Sequence, residues 1–135
     1  MKVSVSSYSF SQQFRSGRMT QLDCVAKAKE IGFDAIEFTD IVGENLDQQK
    51  EYAKKIREEA DRVGIEINAF DCMAWHDDPQ DVYLKQYRIA KAAGCKFYVA
   101  SDAHSREDLL AIEKYCLAFI EAIGLTDDDR YTVPE

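Results

Sequence analysis

The chain has 135 residues, 46% of them hydrophobic and 31% charged, and a net charge of −8 at pH 7. That length suffices for one domain with a real core, and no apolar run approaches the roughly 20 residues of a membrane-spanning helix. The acidic balance excludes a nucleic-acid backbone as the partner, because neutralising phosphates takes clustered Lys and Arg; a small phosphorylated substrate, held by a metal and a few local cations, remains compatible with it.

Residues Lys2 to Phe10 alternate Val3, Val5 and Ser7 against Ser4, Ser6 and Tyr8, which predicts a first strand. Gln12 to Arg18 reads as a polar loop whose Arg15 and Arg18 are the clustered cations near that strand's end. Thr20 then caps a helix over Gln21 to Ile31, with Gly32 as its stop. Phe33 to Ile41 predicts a second strand, with Ile36 and Phe38 on one face and Ala35, Glu37 and Thr39 on the other. A polar helix follows from about Leu46 to Val63, ended by Gly64, and Ile65 to Phe70 reads as a third strand. Asp71 to Asp78 carries no readable pattern, although it holds Trp75 and His76; beside Asp77 and Asp78, that histidine fits a solvated turn better than a ligand. Pro79 to about Ala93 is helical and closed by Gly94.

Cys95-Lys96-Phe97-Tyr98-Val99-Ala100-Ser101-Asp102-Ala103-His104-Ser105 begins as a fourth strand and ends in polar residues where a last helix, Arg106 to Ile123, starts. Gly124 closes that helix, and an acidic tail over 127–135 is expected to be only partly ordered. The closing glycines at 32, 64, 94 and 124 recur every 30 to 32 residues, each followed by an apolar segment, which is the period of a βα unit in a parallel sheet. The expected fold is therefore α/β: four βα units in a single domain over 1–126, half of an eight-unit barrel that a second copy could complete as a homodimer.

Asp102 and His104 are two residues apart. In an extended backbone both side chains leave one face, offering a carboxylate and an imidazole to one cation at the carboxyl end of a strand, where parallel folds keep their chemistry. The competing reading is capping chemistry, with Ser105 as N-cap and Glu107 and Asp108 in the first turn. Two protein ligands do not complete a zinc site, so the missing donors decide what the chain can do. Glu37 and Glu66, inward-facing by strand parity, are candidates for them and for acid–base work; a salt-bridged or solvent-exposed position is the alternative for both. The amino terminus, Met1-Lys2-Val3-Ser4-Val5, lacks a signal-peptide core, and Cys24, Cys72, Cys95 and Cys116 form no Cys-x-x-Cys, so a cytoplasmic protein with reduced thiols is expected.

Two resemblances stand beside this reading. Met1-Lys2-Val3-Ser4-Val5-Ser6-Ser7-Tyr8-Ser9-Phe10, Met19-Thr20-Gln21-Leu22-Asp23 and Ile31-Gly32-Phe33-Asp34-Ala35-Ile36-Glu37-Phe38 resemble the opening of the sugar phosphate isomerase/epimerase family, the xylose isomerase-like barrels. From about Gly64 onward, Ile65-Glu66-Ile67-Asn68-Ala69, Ala90-Lys91-Ala92-Ala93-Gly94 and above all Lys96 to Leu109 resemble the end of a PHP (polymerase and histidinol phosphatase) domain. The second resemblance implies that Asp102 and His104 bind a divalent metal, Zn, Mn or Mg. That family's amino-terminal His-x-His and mid-chain histidines are absent, so one copy cannot assemble its full multi-metal centre. The chain reads as the front of one barrel joined to the back of another near Gly64.

Three functions follow as expectations. The first is a metal-dependent phosphoesterase of the PHP type, with metal at Asp102 and His104, Glu37 or Glu66 completing the site, and Arg15 or Arg18 holding phosphate. The second is a sugar phosphate isomerase or epimerase with a carboxylate base such as Glu37. The third is a half-barrel with an incomplete site.

Overall fold

The structure is a computed structural model that describes residues 2–71, 80–98 and 104–132. The chain divides into two compact units, Met1–Cys95 and Lys96–Glu135.

The first unit is α/β. Strands β1 (Ser4–Ser6), β2 (Ala35–Phe38) and β3 (Glu66–Phe70) form one parallel sheet in the order β1-β2-β3. Val5 stands opposite Ile36, and Ile36 opposite Ile67; beyond that row the register slips, so that Glu37 faces Ala69 and Asn68 is the extra residue of a bulge. Helices α2 (Gln21–Ile31) and α3 (Leu46–Val63) connect successive strands, and α4 (Gln80–Ala92) follows β3. The core is one cluster in which Cys24, Val25 and Ala28 of α2, Ala53, Ile56 and Ala60 of α3, and Ile89 and Ala93 near the end of α4 meet Ile36, Phe38 and Ile67 of the sheet. Helices α2 and α3 thus bury their apolar stripes against one sheet face, and α4 packs on α3 and joins the same core, which is the layering of a singly wound βα repeat.

The other face carries Ser4, Glu37, Glu66 and Asn68 and is polar. Lys2 Nζ reaches Glu66 Oε2 at 2.7 Å, and Ser4 Oγ donates to Asn68 Oδ1 at 3.0 Å. Both contacts bridge β1 to β3, which is feasible because the intervening strand places the small Ala35 between them.

Local chemistry sets the helix limits where the sequence predicts them. Thr20 Oγ1 accepts from Asp23 N at 3.2 Å while Asp23 Oδ2 accepts from Thr20 N at 2.8 Å, a reciprocal capping box. Asn45 Oδ1 accepts from Gln48 N at 3.0 Å and opens α3. All four closing glycines have positive φ, and Gly94 (φ 76°) has a second constraint: a Cβ there would lie 2.9 Å from Arg57 Nε, which donates to Ala93 O at 2.8 Å.

Three expectations change. The first strand stops at Ser6: Ser6 Oγ accepts from Tyr8 N at 3.3 Å, and Ser7–Phe10 turns as a 3-10 segment. The polar stretch after it is not a loop throughout, because Ser11–Arg15 forms a short helix, α1. The fourth strand does not extend the sheet among the described residues; Phe97 N donates to Asp129 O and Tyr131 N to Phe97 O, both at 2.7 Å, in a parallel bridge with Arg130.

That bridge belongs to the second unit, which contains α5 (Arg106–Ile123) and a 3-10 turn at Asp127–Asp129. In the acidic tail Asp129 Oδ2 accepts from Thr126 N at 2.9 Å and from Thr126 Oγ1 at 3.0 Å, and the turn brings residue 130 alongside Phe97. Among the described residues no helix is long and apolar enough to cross a membrane.

Candidate functional site

In a parallel sheet the carboxyl ends of all strands lie along one edge, and the loops leaving that edge are where substrates are met. In the first unit that edge is built from the segment after β1, which contains Arg15 and Arg18, and the loop over 39–45 after β2.

Glu37 is the penultimate residue of β2, half-buried, on the sheet face opposite the helices. Among the described residues its carboxylate has no hydrogen-bond or ion-pair partner. Glu66 occupies a different environment. It is the first residue of β3, at the amino end of the sheet, exposed and bound to Lys2, whose ammonium pKa is raised by the hydrogen bond and charge of Glu66. The two carboxylates therefore share a face but sit at opposite ends of their strands, and Glu66 takes the salt-bridged alternative. Arg15 and Arg18 are exposed, and Arg18 Nε donates to Ser16 Oγ at 2.8 Å.

The loop after β2 is held by two buried amides. Gln21 Nε2 donates to Asp40 O at 2.7 Å while its Oε1 accepts from Val42 N at 3.0 Å, and Gln49 Nε2 donates to Ile41 O at 2.9 Å. Gly43, at φ 156°, lets the loop pass over α3, since a Cβ would fall 2.6 Å from Gln49 Cγ. Ser7 Oγ, buried, accepts from Thr39 N at 3.3 Å and ties the ends of β1 and β2 together. These positioning residues escaped the sequence reading. The signal for Gln49 was present: it lies on the stripe of Ala53, Ile56 and Ala60, and an amide at an apolar position calls for buried polar partners.

In the second unit His104 is exposed and precedes α5, whose first backbone bond runs from Leu109 N to Ser105 O at 3.1 Å. The Asp102 half of the expected metal pair lies outside the described residues, as does His76. Among the described residues no group of three or more His, Cys, Asp or Glu is placed to hold a metal ion. Burial pushes the Cys24 thiol up to about 12 and raises that of Cys95, so both are protonated apolar groups rather than ligands or nucleophiles.

Compared with known proteins, the chain matches no family model, no curated protein and no solved structure. The two resemblances rest on the quoted segments.

Proposed function

We propose that the chain is a metal-dependent enzyme of the βα-repeat kind acting on a small phosphorylated substrate, with phosphoester hydrolysis as its reaction. What carries this reading is the sequence Ser101-Asp102-Ala103-His104 just ahead of α5 at Arg106: a carboxylate and an imidazole two residues apart, which an extended backbone would turn toward one cation. Asp102 and His104 would hold that cation. Manganese or magnesium suits a site with two protein donors, because these ions keep several waters and share their coordination with substrate phosphate, whereas zinc wants a third side chain. The ion when bound supplies charge for a phosphoryl oxygen and acidifies water. A reducing compartment, the cytoplasm, fits the free thiols of the buried Cys24 and the half-buried Cys95.

A second reading, sugar phosphate isomerisation or epimerisation, is favoured by one observation: the half-buried Glu37 carboxylate, without a partner among the described residues, at the carboxyl end of β2. A carboxylate so placed is fit to move a proton next to a carbonyl, with Arg15 and Arg18 of the same unit available to phosphate.

Metal analysis of the purified protein and of His104→Ala tests the metal site. The expected result is a metal content that falls several-fold in the variant; unchanged content removes the site. Assays with sugar phosphates then separate the chemistries. Release of inorganic phosphate, lost in His104→Ala and retained in Glu37→Gln, supports hydrolysis. Interconversion with phosphate retained, abolished by Glu37→Gln, replaces it with the second reading.

A further inference from the structure

The described part of α5 leaves an apolar stripe in solvent. Leu110 and Leu117 are 73% and 59% exposed and two helical turns apart, so they lie one above the other on a single face. Arg106 precedes Leu110 by one turn, Glu121 follows Leu117 by one turn, and both are exposed. Leu110, Lys114, Leu117, Ala118 and Glu121 line a shallow groove along this face. Leu109, 57% exposed, flanks it.

The order cation, leucine, leucine, anion has equal outer steps and is self-complementary under a two-fold axis; Lys114, on the same groove, meets its own copy near that axis, where the long stems let both ammonium groups turn to solvent. Laid antiparallel on a second α5, Leu110 meets Leu117 of the other copy and Arg106 meets Glu121. Each contact occurs twice. A parallel pairing would instead stack Arg106 on Arg106 and Glu121 on Glu121, which like-charge repulsion disfavours. We propose that α5 is a homodimerisation helix, and that its occupant is a second copy of this chain docked antiparallel through Arg106, Leu110, Leu117 and Glu121. The stripe is short, so the association is weak and concentration-dependent. This surface uses none of the residues proposed to hold the metal.

Sedimentation of the full chain from micromolar to millimolar concentration tests this. The expected result is a reversible monomer–dimer equilibrium. Arg106→Glu and Glu121→Arg each place like charges across the axis and should weaken the dimer about tenfold. The double variant restores both pairs in the antiparallel arrangement and should return the affinity of the parent. Leu110→Glu should leave only monomer, with an unchanged far-UV circular dichroism spectrum showing that the chain remains folded. A monomer at every concentration overturns the proposal, as does a dimer whose strength ignores the two charge reversals or is not rescued by combining them.

Discussion

Met1–Cys95 and Lys96–Glu135 make an instructive contrast in where the apolar residues go. Among the described residues every buried hydrophobic side chain except Ile123 belongs to the first unit, from Phe10 to Ala93. The second unit has a helix more apolar than α2, α3 or α4, yet Leu109, Leu110, Tyr115 and Leu117 of α5 are all more than half exposed. The difference lies in the pattern, not in the amount of hydrophobicity. Helices α2, α3 and α4 of the first unit are polar on most of their circumference and apolar on one stripe, and the three stripes meet in one core; α5 is apolar on several sides, and a helix of that kind needs partners on more than one of them.

Stability should divide along the same line. Phe38 is 1% exposed and sits on the sheet's buried face at the carboxyl end of the central strand, so Phe38→Ala removes a large ring from the core. The expected loss is about 3–5 kcal/mol, read as a shift in the midpoint of chemical denaturation with an unchanged slope. Tyr115, 66% exposed on α5, should tolerate the same truncation within about 0.5 kcal/mol. Equal losses at the two positions would erase the contrast.

A sharper probe sits where α4 ends. Gly94 combines a left-handed backbone with a close approach to Arg57, and the Arg57 guanidinium in turn holds the last carbonyl before it. Gly94→Ala should cost about 1–2 kcal/mol, more than conformation alone would take, because Arg57 must leave Ala93 O to admit the methyl group. In Arg57→Ala the cost of Gly94→Ala should shrink, since the clash is gone, and a double-mutant cycle measures that coupling. Additive losses would mean that only the backbone geometry counts.

How legible the molecule was follows from the same contrast. Helices α2 and α3 stand at the residues the sequence indicates, because Thr20, Asn45 and the glycines at 32 and 64 act within one turn of where they stand. The short helix at Ser11–Arg15 was missed because it has no capping side chain at its start and no apolar stripe of useful length. The run from Phe97 announces a strand by propensity, but which strand it pairs with is a long-range choice, and Phe97 bonds to the tail instead. At the candidate site, strand parity read Glu37 and Glu66 as inward-facing; both lie on the sheet face away from the helices, Glu37 half-buried and Glu66 exposed. It could not tell that Lys2 would occupy Glu66, since that pairing depends on the three strands lying side by side.

The smallest expected effect concerns the cap of α2, and its sign is fixed by protonation. The Thr20 backbone N–H and hydroxyl both donate to the Asp23 carboxylate, holding its pKa below the ordinary carboxylate value. A group whose folded-state pKa is depressed binds protons more weakly in the folded than in the unfolded chain. Its contribution is therefore complete above the ordinary value of 3.8 and is lost as pH falls through the lower, folded value. Asp23→Asn keeps an oxygen that can accept from Thr20 but does not titrate. The stability difference between parent and variant should accordingly be constant from neutral pH down to mildly acidic solution and shrink on further acidification, while the other carboxylates, common to both proteins, cancel. A difference that stays flat through the acid range would mean that the capping box works by hydrogen bonding alone, without help from the carboxylate's charge.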